Sequence, residues 1–203
     1  MIDYLLLLAD DIDGRQASQT HSLAMARWAG RIAAELGLDD DAAWRAVAGA
    51  RLHDIGKVAV PDAILTKPAA LTNDEWAVIR EHPAHGARLA ALDPMLAELA
   101  HVILEHHERP DGGGYPHGKR EQQISIEARI IAVCDAWAAM RAHRHYRGPL
   151  TVEAAREQLA AGSGTQFDAD VVAAFLALQA AGDIGMLDDE LTDRAAQPVD
   201  SAG

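Results

Sequence analysis

One cysteine, Cys134, stands in 203 residues, so no internal disulfide can form and a reducing compartment fits. Aromatic residues are only 4% of the chain, and β-branched runs are sparse. An Ala- and Leu-rich sequence of this kind favours helix over sheet. Positive charge is also short: 18 Lys and Arg against 31 Asp and Glu leave a formal net charge of −13. That balance argues against broad binding to a nucleic-acid polymer or an anionic membrane. An acidic protein can still take an anionic ligand where metal ions and a few placed cations reverse the sign locally. Long apolar runs are missing; the strongest, Leu5 to Leu8, is far too short to span a membrane. Asp3 and the lack of an early Lys or Arg argue against a signal peptide, so the expected location is cytoplasmic. No internal repeat is visible. The length suits one domain with a proper core, and the acidic, polar stretch 188–203 reads as a flexible tail.

Along the chain, residues 1–17 read as a short leading helix or linker. A helix is expected from about Ser18 to Leu36, stopped by Gly37 and carrying His21 in its first turn. Asp39, Asp40 and Asp41 offer caps for the next, which runs through Trp44, Val47 and Leu52 into His53-Asp54. Thr72 and Glu75 have the spacing of a capping box, so a helix should start there and carry Trp76 and Ile79 inward. Pro83 interrupts it after Glu81-His82. Another helix begins near Ala84, and one near Pro94 presents Leu96, Leu99, Val102 and Ile103 before ending at His106-His107. Pro110, Gly112, Gly113, Gly114, Pro116 and Gly118 rule out regular structure from Glu108 to about Gln123; long loops of this kind tend to be functional. Ser125 can cap an apolar helix from Ile126 to about Ala142, and Thr151 and Asp168 can cap two more. The fold class is all-α.

Within this frame, His53-Asp54-Ile55-Gly56-Lys57 puts two metal-ligand types side by side, with Gly56 where a helix can end and Pro61 blocking its resumption. Several of the ten histidines fall where a segment should end or turn: His53 before a Gly, His82 before a Pro, His106-His107 before the Gly-rich loop. Helix ends can converge in a bundle, so these groups can share a cavity. Asp135 lies in the apolar run Ile130 to Trp137, where a bare carboxylate is costly unless paired or metal-bound. Each residue alone also fits a plainer role. His53-Asp54 fits a surface pair, His21 a solvated residue, Asp135 a partner of Arg129, Lys57 a surface lysine and Arg147 a helix-end charge.

Taken in order, His21, then His53-Asp54-Ile55-Gly56-Lys57, His82-Pro83, His106-His107-Glu108, Asp111-Gly112, Gly114-Tyr115-Pro116 and Asp135 resemble the HD-GYP family. These are metal-dependent phosphodiesterases of cyclic di-GMP within the HD superfamily. Similarity runs from roughly Ser18 to Phe175 and includes Arg144-His145-Tyr146-Arg147 and Gly164-Thr165-Gln166-Phe167-Asp168. The resemblance implies an HD-domain helical bundle of roughly seven or more helices with a long Gly-rich loop, over about 18–187. It implies metal ligation by His21, His53, Asp54, His82, His106, His107 and Asp135, with Asp54 bridging two divalent ions and about four protein ligands per ion. Octahedral N/O surroundings favour Fe or Mn. Two ions about 3.5–4 Å apart would clamp the phosphate and lower the pKa of a bridging water, which attacks in line. Lys57 is the candidate for the phosphoryl charge, while Tyr115, Arg144 and Arg147 would grip phosphate or guanine.

Some family members carry a Glu four residues before the first ligand His and hold a third metal. Here that position is Ala17, so the expectation is two metals and linear pGpG as the product. His145 replaces the usual Pro, and Lys119 and Glu121 stand where Leu and Gly are common. Those departures fall in the substrate-facing region. His85 and His101 match no ligand position and read as structural or exposed; His117 and His143 have no assignment. The implied partners are cyclic di-GMP and signalling proteins such as GGDEF-type cyclases. Two other readings compete: an HD-superfamily hydrolase of another cyclic dinucleotide or nucleotide, and a signalling module that binds without turnover.

Overall fold

A computed structural model describes residues 2–15, 21–142 and 148–184. Among these the chain is helical, with no strand and one isolated bridge between Ser163 and Phe167. In order come α1 (Ile2–Arg15), α2 (His21–Glu35), α3 (Asp40–Leu52), a 3-10 segment (Ile55–Ala59) and the short α4 (Asp62–Leu65). Then follow α5 (Asn73–Arg80), α6 (His82–Ala90), a 3-10 turn (Ala97–Leu99) and α7 (Ala100–Glu105). After the Gly-rich segment and another 3-10 turn (Glu121–Gln123) come α8 (Ile126–Arg141), α9 (Val152–Gly162) and α10 (Ala169–Ala180). The expected start of α2 at Ser18, the 188–203 tail, Ala17, His143, Arg144, His145 and Arg147 lie outside the described residues.

Local chemistry sets most boundaries. Asp39 caps α3 by accepting from the Ala42 amide at 2.8 Å. Thr72 and Glu75 form the expected reciprocal capping box at α5. Thr151 and Asp168 cap α9 and α10 through their side chains. Pro83 does not interrupt a helix but occupies the first turn of α6, where its missing N–H costs nothing. Ser125 precedes α8, but its hydroxyl makes no cap bond; its amide instead donates to Glu105 Oε2 at 2.7 Å. Trp76 departs from expectation: α5 buries none of its residues, and Trp76 is 46% exposed. Amphipathic spacing marks a face, and among the described residues that face is only partly covered.

Two apolar clusters hold the bundle. The larger joins α2, α3, α8, α9 and α10 around Trp28, Ile32, Ile131, Trp137 and Phe175. The smaller joins Leu5 and Ala9 of α1 to Leu52, Ile55, Ala90, Leu96, Leu99 and Ile103. Each fully buried Leu, Ile or Phe contributes about 1.5–3 kcal/mol by leaving water. Helix α3 belongs to both: Ala46 and Ala50 face the larger cluster and Leu52 the smaller. The residues that follow it, His53 and Asp54, therefore lie at the seam.

Candidate metal centre

Five imidazoles and two carboxylates meet at that seam. His21 opens α2, and its Nε2 lies 3.5 Å from Asp135 Oδ1 on α8, both elements of the larger cluster. Arg129 does not pair with Asp135; it donates to Asp168 at 2.6 Å, tying α8 to the cap of α10. His53 and Asp54 follow α3, with His53 Nε2 3.3 Å from Asp54 Oδ2 and the ring centroids of His21 and His53 5.6 Å apart. From the smaller cluster, His82 at the head of α6 brings Nε2 to 3.2 Å from Asp54 Oδ1. His106 and His107 follow α7, their rings 4.0 Å apart and the His82 and His107 rings 5.1 Å apart. All seven residues expected to converge from separate segments do so.

The chain fixes which face of three rings looks inward. His53, His82 and His106 each place Nδ1 at 2.6–2.8 Å from the carbonyl oxygen three residues earlier, on Ala50, Ile79 and Ile103 respectively. A carbonyl oxygen can only accept, so each Nδ1 donates, and in the neutral rings Nε2 keeps a lone pair. This is the outer-sphere arrangement that orients histidine ligands. The consequence is awkward without a cation: His82 Nε2 and His106 Nε2 face each other at 3.2 Å. In addition, His53 Nε2 and Asp54 Oδ1 are buried with no hydrogen-bond partner. His21, His53 and Asp54 form one group of side chains that could hold a metal ion, and His82, His106 and His107 form a second. The donor set is N/O with no sulfur, which suits a divalent first-row ion.

Electrostatics in the metal-free protein follow from burial and crowding. Burial alone would lower the His53 pKa, but the adjoining Asp54 carboxylate outweighs it and raises the ring to about 9. Burial lowers His107 to about 3, helped by the neighbouring His82, and lowers His106 as well. Asp54 sits well below the usual carboxylate range: His53 and Lys57 overcome the cost of burying it. Lys57, on the 3-10 segment, reaches Asp54 Oδ2 at 2.6 Å.

Gly56 has a different job from the helix-ending one its letter implied. The chain continues as a 3-10 segment, and a Cβ at Gly56 would lie 1.9 Å from the His82 carbonyl oxygen and 2.4 Å from the Gly86 nitrogen. Only a glycine lets the two backbones touch, and that contact sets His82 against Asp54.

Two buried glutamates, not chain flexibility, shape the Gly-rich segment. Glu108 accepts from the amides of His117 at 2.6 Å and Lys119 at 2.9 Å. Glu105 accepts from Lys119 Nζ at 2.6 Å, so that ammonium is turned to the scaffold. Glu121 adopts a φ of 43°, the left-handed region, at a cost of about 1 kcal/mol for a residue with a Cβ. Tyr115 lies on His107, ring centroids 4.8 Å apart and planes 29° apart. His85 pairs with Arg88, and His101 and His117 are exposed, away from the cluster.

One support was not anticipated. The Asp13 carboxylate accepts from the Ser22 amide at 2.9 Å and hydroxyl at 2.7 Å, and Arg51 joins Ser22 to Asp10. This anchors the first turn of α2, and so His21, to α1 and α3. No periodicity marks Asp13, because its partner lies across a connection whose path the letters do not give.

Such a bundle, with two side-chain groups each able to hold an ion, defines a helical domain built around a candidate metal centre. A family model described as HD domain matches residues 7–171, and the chain belongs to that family, in its HD-GYP branch. A cyclic di-GMP phosphodiesterase of Thermotoga maritima is 40% identical over 152 residues, 74% of this chain and 41% of that protein. A 3'3'-cGAMP-specific phosphodiesterase of Vibrio cholerae is 36% identical over 170 residues, 81% of this chain and 32% of that protein. The chain thus spans less than half the length of these relatives. The crystal structure of a cyclic GMP-AMP-specific phosphodiesterase from the same species superposes with a TM-score of 0.71 at 15% identity. It covers 98% of this chain and 55% of that one, a likeness of fold. No helix among the described residues is long and apolar enough to cross a membrane.

Proposed function

We propose that this domain hydrolyses a phosphodiester bond of cyclic di-GMP and releases linear pGpG, with two divalent ions held at the seam. The observation that carries the reading is the facing pair of His82 and His106 Nε2 atoms beside the partnerless Asp54 oxygen. Such a cluster of lone pairs is stable only around a cation. We assign His21, His53, Asp54 and Asp135 as the residues that would hold one ion, and His82, His106, His107 and again Asp54 as those that would hold the other. Iron or manganese suits these donors. When bound, the pair supplies Lewis acidity for the phosphate oxygens and an acidic water as nucleophile at neutral pH.

The side chains do the rest. Nδ1–H donation to Ala50, Ile79 and Ile103 holds the three rings so that their lone pairs stay aimed. Lys57, held against Asp54, lies where charge develops on the phosphoryl oxygens and serves as their donor. Tyr115, held by ring contact with His107 and with the Arg80 guanidinium over its ring, serves as a grip for phosphate or guanine. Arg144 and Arg147 remain part of the proposal as phosphate-binding residues from sequence alone. A second reading keeps the chemistry and changes the substrate to 3'3'-cGAMP, favoured by the 36% identical relative of that specificity.

The test joins composition to product. Anaerobically purified protein should carry about two ions per chain and convert cyclic di-GMP to pGpG, and His53→Ala should lose both properties. Protein that holds metal but cleaves only 3'3'-cGAMP would replace the first reading with the second. Protein that binds cyclic di-GMP with no cleavage of either would leave a signalling module.

A further inference from the structure

The exposed Trp76 has a neighbour that gives it a use. A cavity of about 280 Å³ lies on the outer face of α5, lined by Asn73, Trp76 and Arg80. Arg80 extends from it over the Tyr115 ring, its guanidinium carbon 5.5 Å from the centroid. Tyr115 in turn lies on His107 at the metal centre. The path from the seam outward is therefore imidazole, phenol, guanidinium, indole, a run of flat surfaces ending in a hollow. Trp76 keeps 46% of its surface exposed on α5, so part of the flat indole stays open to a ligand.

We propose that this hollow is a subsite for one purine of the cyclic dinucleotide, stacked on the Trp76 indole, with Arg80 meeting the phosphate or the guanine edge. The inference rests on the cyclic-dinucleotide reading above and adds specificity-determining residues to it. The hollow is open to solvent and no larger than the smallest pockets that enclose whole drug-sized ligands, about 300–1,000 Å³, so a base can rest on it with the rest of the dinucleotide outside. Stacking on an aromatic side chain tolerates any base, whereas the planar fork of Arg80 pairs two acceptors of guanine and only one of adenine. In a chain of net charge −13, Arg80 beside Tyr115 also places a cation on the approach to the centre.

Trp76→Ala and Arg80→Gln in the full metal-loaded chain provide the test. Each should raise KM for cyclic di-GMP about tenfold with a smaller effect on kcat. The ratio of kcat/KM for cyclic di-GMP over bis(p-nitrophenyl) phosphate, which carries no purine, should fall about as much. Independently, pGpG should quench the indole fluorescence of the wild-type chain and not that of Trp76→Phe. An unchanged KM, an equal loss on both substrates, or quenching that survives Trp76→Phe would overturn the subsite. A wild-type chain that leaves cyclic di-GMP intact yet shows Trp76-dependent quenching would retain the subsite and lose the reaction.

Discussion

A methyl group on Gly56 would collide with the His82 carbonyl oxygen at 1.9 Å, and that atom is backbone that cannot rotate away. Gly56 does not have a positive φ, so its requirement is contact and not conformation. Gly56→Ala should therefore destabilise the fold by about 3 kcal/mol, the upper range for overpacking a tight core. For a chain of this length the thermal midpoint should drop by about 6–12 °C. Metal content should fall with it, because the forced shift carries His82 from Asp54. A midpoint within 2 °C of wild type would show that the two backbones can part freely. At this scale the letters were informative where identity carries chemistry and silent where a partner decides. The convergence of His21, His53, Asp54, His82, His106, His107 and Asp135 was legible because few residue types ligate metals and their order is distinctive. The packing role of Gly56, the pairing of Arg129 with Asp168 and the idle hydroxyl of Ser125 were not, since each depends on a neighbour distant in sequence.

Among the elements, boundaries were read well where a side chain closes a local ring, as at Thr72 and Glu75, and poorly where tertiary packing decides. Helix α5 has the expected box and an amphipathic pattern, yet among the described residues none buries the face that Trp76 occupies. The Gly-rich segment was legible only as irregular; what orders it is Glu105 at the end of α7. Burial alone would raise that carboxyl, but the Lys119 ammonium and the Ser125 amide more than offset it and its pKa is lowered. A carboxyl depressed on folding stabilises the fold above its ordinary range, and that contribution disappears as pH falls through the folded value. The metal-free wild type should thus exceed Glu105→Gln by about 1–3 kcal/mol at pH 7. The two thermal midpoints should converge below about pH 4. A gap that stays constant from pH 7 to pH 3 would mean that Glu105 acts by shape and not by charge.

On the scale of the molecule, the centre joins two cores of unequal extent. The larger, around Trp28, Trp137 and Phe175, is the more extensive, whereas the smaller is assembled from a few residues each of α1, α3, α6 and α7 and from the 3-10 segments that carry Ile55 and Leu99. His82 comes from the smaller side, His21 and Asp135 from the larger, and His53-Asp54 and His106-His107 follow α3 and α7, which each contribute to both through Ala50 and Leu52 and through Val102 and Ile103. On the proposed reading a bound ion would act as a clasp, and a ligand at 1,000 times its dissociation constant stabilises by about 4 kcal/mol. Removing metal with a chelator should lower the thermal midpoint by about 10 °C. The loss should be uneven: amide exchange should quicken over His82–Ala90, Ala100–Glu105 and Ile55–Ala59 and stay slow in α8 and α10. The reason is local, because without the ion the facing lone pairs of His82 and His106 repel, and those rings are carried by α6 and α7. Faster exchange spread evenly over the chain would place the clasp elsewhere. No change at all on chelation would remove the metal from the centre.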